Sequence, residues 1–250
     1  MLAFLILSLG VAIGSFLNVC IYRIPRGESL VFPPSHCPYC GHRLGPADLV
    51  PVLSYLWLRG RCRYCRERIS PQYPLVELGT GGLFLLLCHL YGPSPELVSR
   101  LVLASGLLVA ALIDARHYRI PNQVVAFLAA SGVALNLWTQ ELAWWQVAAG
   151  AGIGGGVLAA LALLSRGGMG EGDVKLAGAV GLYLGPAGAV MTLFLAAALG
   201  AIIGGLLILL GRRGRKEPIP FAPFLAVAAV TVHTAGETLW QFYLSWAGWS

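Results

Sequence analysis

The chain has 250 residues, 57% of them hydrophobic and 11% charged, with a mean hydropathy of +0.74. Soluble domains carry about 25% charged residues, so the composition excludes an ordinary soluble domain and points to an all-α polytopic membrane protein in a lipid bilayer. The net charge of +6 calls for no nucleic-acid partner, because a basic face against anionic lipid accounts for it.

A helix needs about 20 apolar residues to span a bilayer. The first such run is expected at 2–21. No basic region precedes it and no small-residue cleavage site precedes "AIGSFLN", so it reads as a retained helix and not as a signal peptide. Seven further spans are expected at 75–91, 97–114, 121–138, 144–164, 173–185, 187–210 and 220–247, each bounded by polar residues or by Gly and Pro. Alternation from the first span places the loops after the first, third, fifth and seventh on one side. That side holds every Lys and Arg except Arg100, including Arg166, Lys175, Arg212, Arg213, Arg215 and Lys216. The positive-inside bias makes it cytosolic and leaves both chain ends outside.

Residues 23–74 form the single sizeable polar loop, and two C-x2-C pairs stand in it: Cys37 and Cys40, then Cys62 and Cys65, separated by 21 residues. That interval lies just past the ~15–20 residues usual for a four-cysteine zinc site. Four thiolates close a tetrahedral shell and leave no place for water, so Zn2+ here is expected to staple the loop without hydrolysing anything. Redox thiols are the alternative, and disulfides fit a reducing cytosol poorly. His36 and His42 read as bystanders, and Gly60 as a turn that positions the loop. Cys20 and Cys88 fall in apolar spans and read as small buried residues.

Asp48 in the loop, Asp114 and Asp173 are the only aspartates. Asp114 closes the run "LVLASGLLVAALID", and Asp173 opens a helix behind the glycines of "GGMGEGD" (167, 168, 170 and 172). A carboxylate at a helix start is favoured by the exposed amides. Length argues for a deeper position: from Asp173 to Leu184 is only ~18 Å of helix at ~1.5 Å per residue, against a ~30 Å hydrocarbon core. Acids at such depth are functional candidates. Two acids brought together can share a proton, one activating water while the other polarises a carbonyl; ion or proton transport and helix capping remain open on the residues alone. As a phosphate-binding loop the glycine run fails, because no Ser or Thr follows Lys175. The small residues of "GAGIGGG" (150–156) allow close helix packing. The tryptophans at 138, 144, 145, 240, 246 and 249 read as anchors at the outer interface.

"GEGD" (Gly170 to Asp173) matches the GxGD motif of intramembrane aspartyl proteases. "GSFLNVCIYRIPRG", "CPYC", "CRYC", "YPLVELGTG" and "IDARHYRIPN" follow the order found in bacterial prepilin peptidases, which the chain resembles along nearly its whole length. The resemblance implies an enzyme that removes a short basic leader from type 4 prepilins and pilin-like secretion proteins at the cytosolic face of the bacterial inner membrane. It carries the catalytic pair onto Asp114 and Asp173. It also implies N-methylation of the new N-terminus with S-adenosylmethionine as donor, an activity associated with the N-terminal half, where Glu77 of "YPLVELGTG" either serves methyl transfer or caps its helix. Glu171 reads as a solvated acid, and Asn18 and Arg23 as packing and anchoring residues. The expected organisation is a first spanning helix (1–22), a cytosolic tetracysteine loop domain (23–74) and a membrane-embedded peptidase domain (75–250). Two alternatives stand beside this reading: a peptidase without methyl transfer, and an ion or proton transporter with a zinc-stapled loop.

Overall fold

The computed structural model describes residues 1–164, 170–212, 214 and 217–246, with nothing taken from the side chains of Phe242, Tyr243 and Trp246. The residues Arg166, Gly167, Gly168, Arg213, Arg215, Lys216 and Trp249, singled out above, lie outside the described residues, as does the side chain of Trp246. Among the described residues the chain is helical, without strands beyond two isolated bridges. Five helices are long and apolar enough to cross a membrane by length and composition. The chain is a multi-pass membrane protein.

It divides into two compact units, Met1–Pro93 and Ser94–Ser250. In the first, α1 (Leu2–Arg23) packs along α3 (Gln72–Tyr91). Small residues permit the close approach: a Cβ on Gly14 would lie 2.7 Å from Glu77 Cα, and one on Gly10 2.8 Å from Gly81 Cα. Asn18, buried on α1, donates to Tyr73 O at 3.0 Å and accepts from Gln72 Nε2 at 3.3 Å, fastening the start of α3. Buried Arg23 donates to Ser29 O and Pro33 O at 2.8 and 2.7 Å, which folds the next ten residues back over the end of α1. The loop also contains a short helix, α2 (Leu53–Trp57), for which its sequence carries no periodic signal. The boundary expected at residue 74 falls inside this unit.

The second unit is a bundle of α4 (Pro95–His117), α5 (Asn122–Thr139), α6 (Trp144–Leu164), α7 (Glu171–Leu209) and α8 (Ala222–Trp246). α4 runs one turn past the expected end at 114, so Asp114 lies in its final turn. α7 is broken at Gly185 (φ 66°, ψ −174°), just before Pro186. A side chain at that φ is strained and Pro186 has no amide to continue the ladder, so two adjacent residues end one segment and begin the next. The expected spans at 173–185 and 187–210 are the two sides of this break, which gives eight long helical segments among the described residues. Trp138, Trp144, Trp145 and Trp240 are exposed at or near helix ends.

α6 and α7 make the tightest pair in this bundle. A Cβ on Gly150 would run into the Gly181 carbonyl, and a Cβ on Gly181 into the Gly150 carbonyl, backbone atoms on both sides. Neither can yield without moving a helix. Gly181→Val is therefore expected to exceed the ~1–3 kcal/mol of ordinary overpacking and to lower the thermal midpoint of the purified protein by several degrees. Gly156→Val, where nothing lies within 4 Å, should leave it unchanged. Equal midpoints for both variants would refute the close crossing.

Candidate functional site

The loop of the first unit is built from two copies of one turn. In 36–44, "HCPYCGHRL", the Cys37 amide donates to His42 O at 2.9 Å and the Gly41 amide to Cys37 O at 2.9 Å. In 61–69, "RCRYCRERI", the Cys62 amide donates to Glu67 O at 2.8 Å and the Arg66 amide to Cys62 O at 3.1 Å. Gly41 and Arg66 take the same left-handed conformation, with φ of 68° and 62°. Isolated bridges close both turns, His36 to Arg43 and Arg61 to Arg68. Gly60, at φ 67°, begins the second copy. A nine-residue self-comparison of the sequence would have exposed this repeat.

Each turn points two sulfurs at the other pair. All four Sγ atoms lie within 4.8 Å of one another, and Cys37 and Cys65 Sγ are 3.8 Å apart. A tetrahedral ion with ~2.3 Å metal–sulfur bonds sets its sulfurs roughly 3.8 Å apart, so the four cysteines could hold a metal ion. Burial pushes the Cys62 thiol up, but the amides of Cys65 and Tyr64 and the neighbouring thiols outweigh it and bring it down to about 7. The Glu67 amide acts to lower Cys65, yet partial loss of water and the thiols of Cys62, Cys40 and Cys37 push it up to about 12. The Cys62 thiolate thus forms readily while Cys65 holds its proton, and a cation is what lets that proton leave.

His42 stacks on Tyr64 with ring centroids 3.6 Å apart, and His36 Nδ1 sits 3.1 Å from Pro34 O, so both are occupied elsewhere. Asp48 accepts from Arg63 Nε at 2.6 Å, Tyr64 Oη at 3.1 Å and the Gly45 amide at 3.1 Å. The Arg63 guanidinium, helped by those two donors, holds the Asp48 carboxyl below the usual carboxylate range against its partial burial. These bonds tie the segment between the turns to the second turn.

Glu77 is buried on α3, and its Oε2 accepts from the Val52 amide at 2.7 Å. Val52 has φ 61° and ψ −53°, and the Leu53 amide reaches Pro51 O at 2.6 Å. This is a γ-turn, strained for a β-branched residue. The carboxylate therefore joins α3 to the entry of α2. Cys20 and Cys88 are buried in their helices.

In the second unit Asp114 and Asp173 line one cavity of ≈ 320 Å³ together with Tyr118, Arg119, Asn122 and Lys175. Asp114 Oδ2 accepts from the Ala222 amide at 3.1 Å, the first residue of α8, with the Phe221 amide nearby. A helix N-terminus presents amides that no helical carbonyl can satisfy, and a carboxylate suits it. Asp173 stands in the first turn of α7, beside the Gly170 amide and within electrostatic reach of Asp114. Its Oδ1 is buried and has no hydrogen-bond partner among the described residues. Capping thus accounts for one oxygen of Asp114 and leaves a buried oxygen of Asp173 without a partner among the described residues. Glu171, fully out in solvent at the rim, pairs at 3.5 Å with Lys175, whose Nζ also reaches Asn122 Oδ1 at 3.4 Å.

Sequence reasoning paired the two aspartates and collected the four cysteines. It missed the α8 amides on Asp114, for which the prolines of "PIPFAPF" signal a helix start but no partner.

Residues 8–91 match the family model described as the bacterial peptidase A24 N-terminal domain, and residues 101–205 the type IV leader peptidase family. A protein of Bacillus subtilis, named prepilin leader peptidase/N-methyltransferase, is 35% identical over 238 residues, covering 95% of this chain and 96% of its own. Proteins of the same name from Burkholderia pseudomallei and Aeromonas hydrophila are 35% and 34% identical, covering 99% and 96% of this chain and 88% and 93% of theirs. No solved structure matches it.

Proposed function

The chain belongs to the type IV leader peptidase family, and from that membership we propose that it cleaves the basic leader from type 4 prepilins and pilin-like secretion proteins with Asp114 and Asp173, then N-methylates the exposed residue. The observation that carries the cleavage reading is the pair of aspartates lining one cavity at two helix ends. Two carboxylates sharing one proton suffice for peptide hydrolysis. The Ala222 amide at the start of α8 holds Asp114 in orientation, and Asp173, whose Oδ1 no protein group among the described residues occupies, is the carboxylate suited to take a proton from water. The protonated partner then polarises the scissile carbonyl.

The surroundings of the pair fit a substrate whose apolar helix lies in the bilayer and whose leader lies outside it. The excess of Lys and Arg in the loops of one side supports a cytosolic position for the cavity mouth and the cysteine turns, and the family's substrates suit the bacterial inner membrane. Zn2+ fits the four cysteines by donor type and spacing, and when bound it closes the two turns into one rigid loop. The family's methyl donor is S-adenosylmethionine, for which no contact residue is assigned. Glu77, with its carboxylate taken up by the Val52 amide, is a positioning residue for the loop, and its part in methyl transfer runs through that loop.

Membranes holding the protein are expected to shorten a type 4 prepilin by the length of its leader. With S-adenosylmethionine present, the product should gain the mass of one methyl group at its new N-terminus. An uncut precursor refutes the peptidase reading; a cut but unmodified product refutes methyl transfer alone.

A further inference from the structure

The loop between α1 and α3 carries large apolar side chains that are exposed among the described residues. On α2, Leu53, Leu56 and Trp57 are exposed, Trp57 to 85%. Their i, i+3, i+4 spacing puts them on one helix face. Leu49 and Val50 continue that surface just before the helix. In the other arm, Val31 and Phe32 are exposed, Phe32 to 72%. A water-facing loop does not ordinarily present this much contiguous apolar surface.

The height of these residues relative to the membrane is set by three bonds already described. Glu77 stands five residues into α3, a helix apolar enough to span, which is about 7.5 Å along its axis at ~1.5 Å per residue. The Val52 amide is bonded to that carboxylate at 2.7 Å. The entry to α2 is therefore pinned beside the second turn of a spanning helix. Around it α3 exposes Leu75 and Leu78, side chains that face lipid on any spanning helix. In the other arm, Arg23 at the end of α1 holds the 29–33 segment through Ser29 O and Pro33 O. The entry to α2 is thus held at the height of the exposed leucines of α3, and Arg59, Arg61, Arg66 and Arg68, which follow α2 in the chain, are exposed. Apolar side chains at the headgroup and acyl boundary, with cations toward anionic headgroups, are what an interfacial helix shows.

We propose that α2 and the Val31–Phe32 tip lie in the bilayer interface, with Leu53, Leu56 and Trp57 inserted among the outermost acyl segments. The cysteine turns are then carried on a membrane-seated platform and do not hang free in water. The occupant of this surface is lipid, and the inference holds whatever reaction the second unit performs.

The depth of Trp57 tests it. The full-length protein is reconstituted into vesicles of phosphatidylcholine and phosphatidylglycerol, and the difference between wild type and Trp57→Phe isolates the Trp57 emission. Phospholipids brominated near the top of their acyl chains should quench that emission several-fold more than iodide in the water, relative to a water-exposed tryptophan standard. A second reporter, Leu53→Trp in the Trp57→Phe background, should behave alike and guards against a local misfold. Dominant quenching by iodide would mean the helix faces water, and protection from both quenchers would mean protein covers it. Either result overturns the proposal.

Discussion

Asp114→Asn and Asp173→Asn are each expected to lower precursor cleavage by about a thousandfold or more, since positioned acid–base groups contribute roughly 10²–10⁴ in rate and the two act on one step. That loss corresponds to about 4 kcal/mol of barrier at ~1.36 kcal/mol per tenfold. Asparagine has the size of aspartate and keeps an oxygen that can accept from the Ala222 amide, which Asp114 bonds at 3.1 Å, so the folded protein should remain. It cannot give up or take a proton at working pH. The double variant should be hardly slower than either single one, because groups that work as a unit are not additive. Timed cleavage of a prepilin by purified variants, alongside their thermal midpoints, measures both. Full-rate cleavage by either single variant removes the assigned pair.

The second large effect is on the loop. Purified protein should contain about one zinc per chain, and Cys37→Ser or Cys62→Ser should lower zinc affinity by more than the ~10–100-fold typical of losing a partner that only orients a ligand. Structural zinc supplies roughly 10–16 kcal/mol of apparent binding free energy in small zinc modules, and that energy is folding energy. The two turns contain little apolar core of their own: of their residues only Cys37 and Cys62 are buried hydrophobics. Without metal, residues 36–69 should become sensitive to brief trypsin treatment at their exposed arginines, while α1 and α3 stay protected by their packing. A serine variant that keeps its zinc, or a chelated protein whose loop stays resistant, contradicts the staple.

These effects differ in how far they could be foreseen. The tetracysteine pattern is local and chemical: ligand type and C-x2-C spacing restrict what the residues can do before any fold is known, and their convergence within 4.8 Å followed. Hydropathy similarly marked the spans, and Gly185 with Pro186 marked the break in α7, because a left-handed φ and a missing amide are properties of those two residues. The short helix α2 went unseen. Its five residues are little more than one turn, too short for an apolar pattern to repeat, and it is held by a carboxylate 25 residues away.

By itself, then, the sequence determined a polytopic helical membrane protein, a four-thiolate loop and two acids at helix ends, since hydropathy, ligand chemistry and turn geometry act over a few residues. Only the tertiary structure decided what those acids face. The bond from Asp114 to the Ala222 amide spans 108 residues of chain, and the shared cavity joins the end of α4 to the start of α7. Packing of apolar helix faces sets such pairings, and since many pairings of greasy helices satisfy the same hydropathy pattern, the small-residue contacts at Gly150 and Gly181 had to select one.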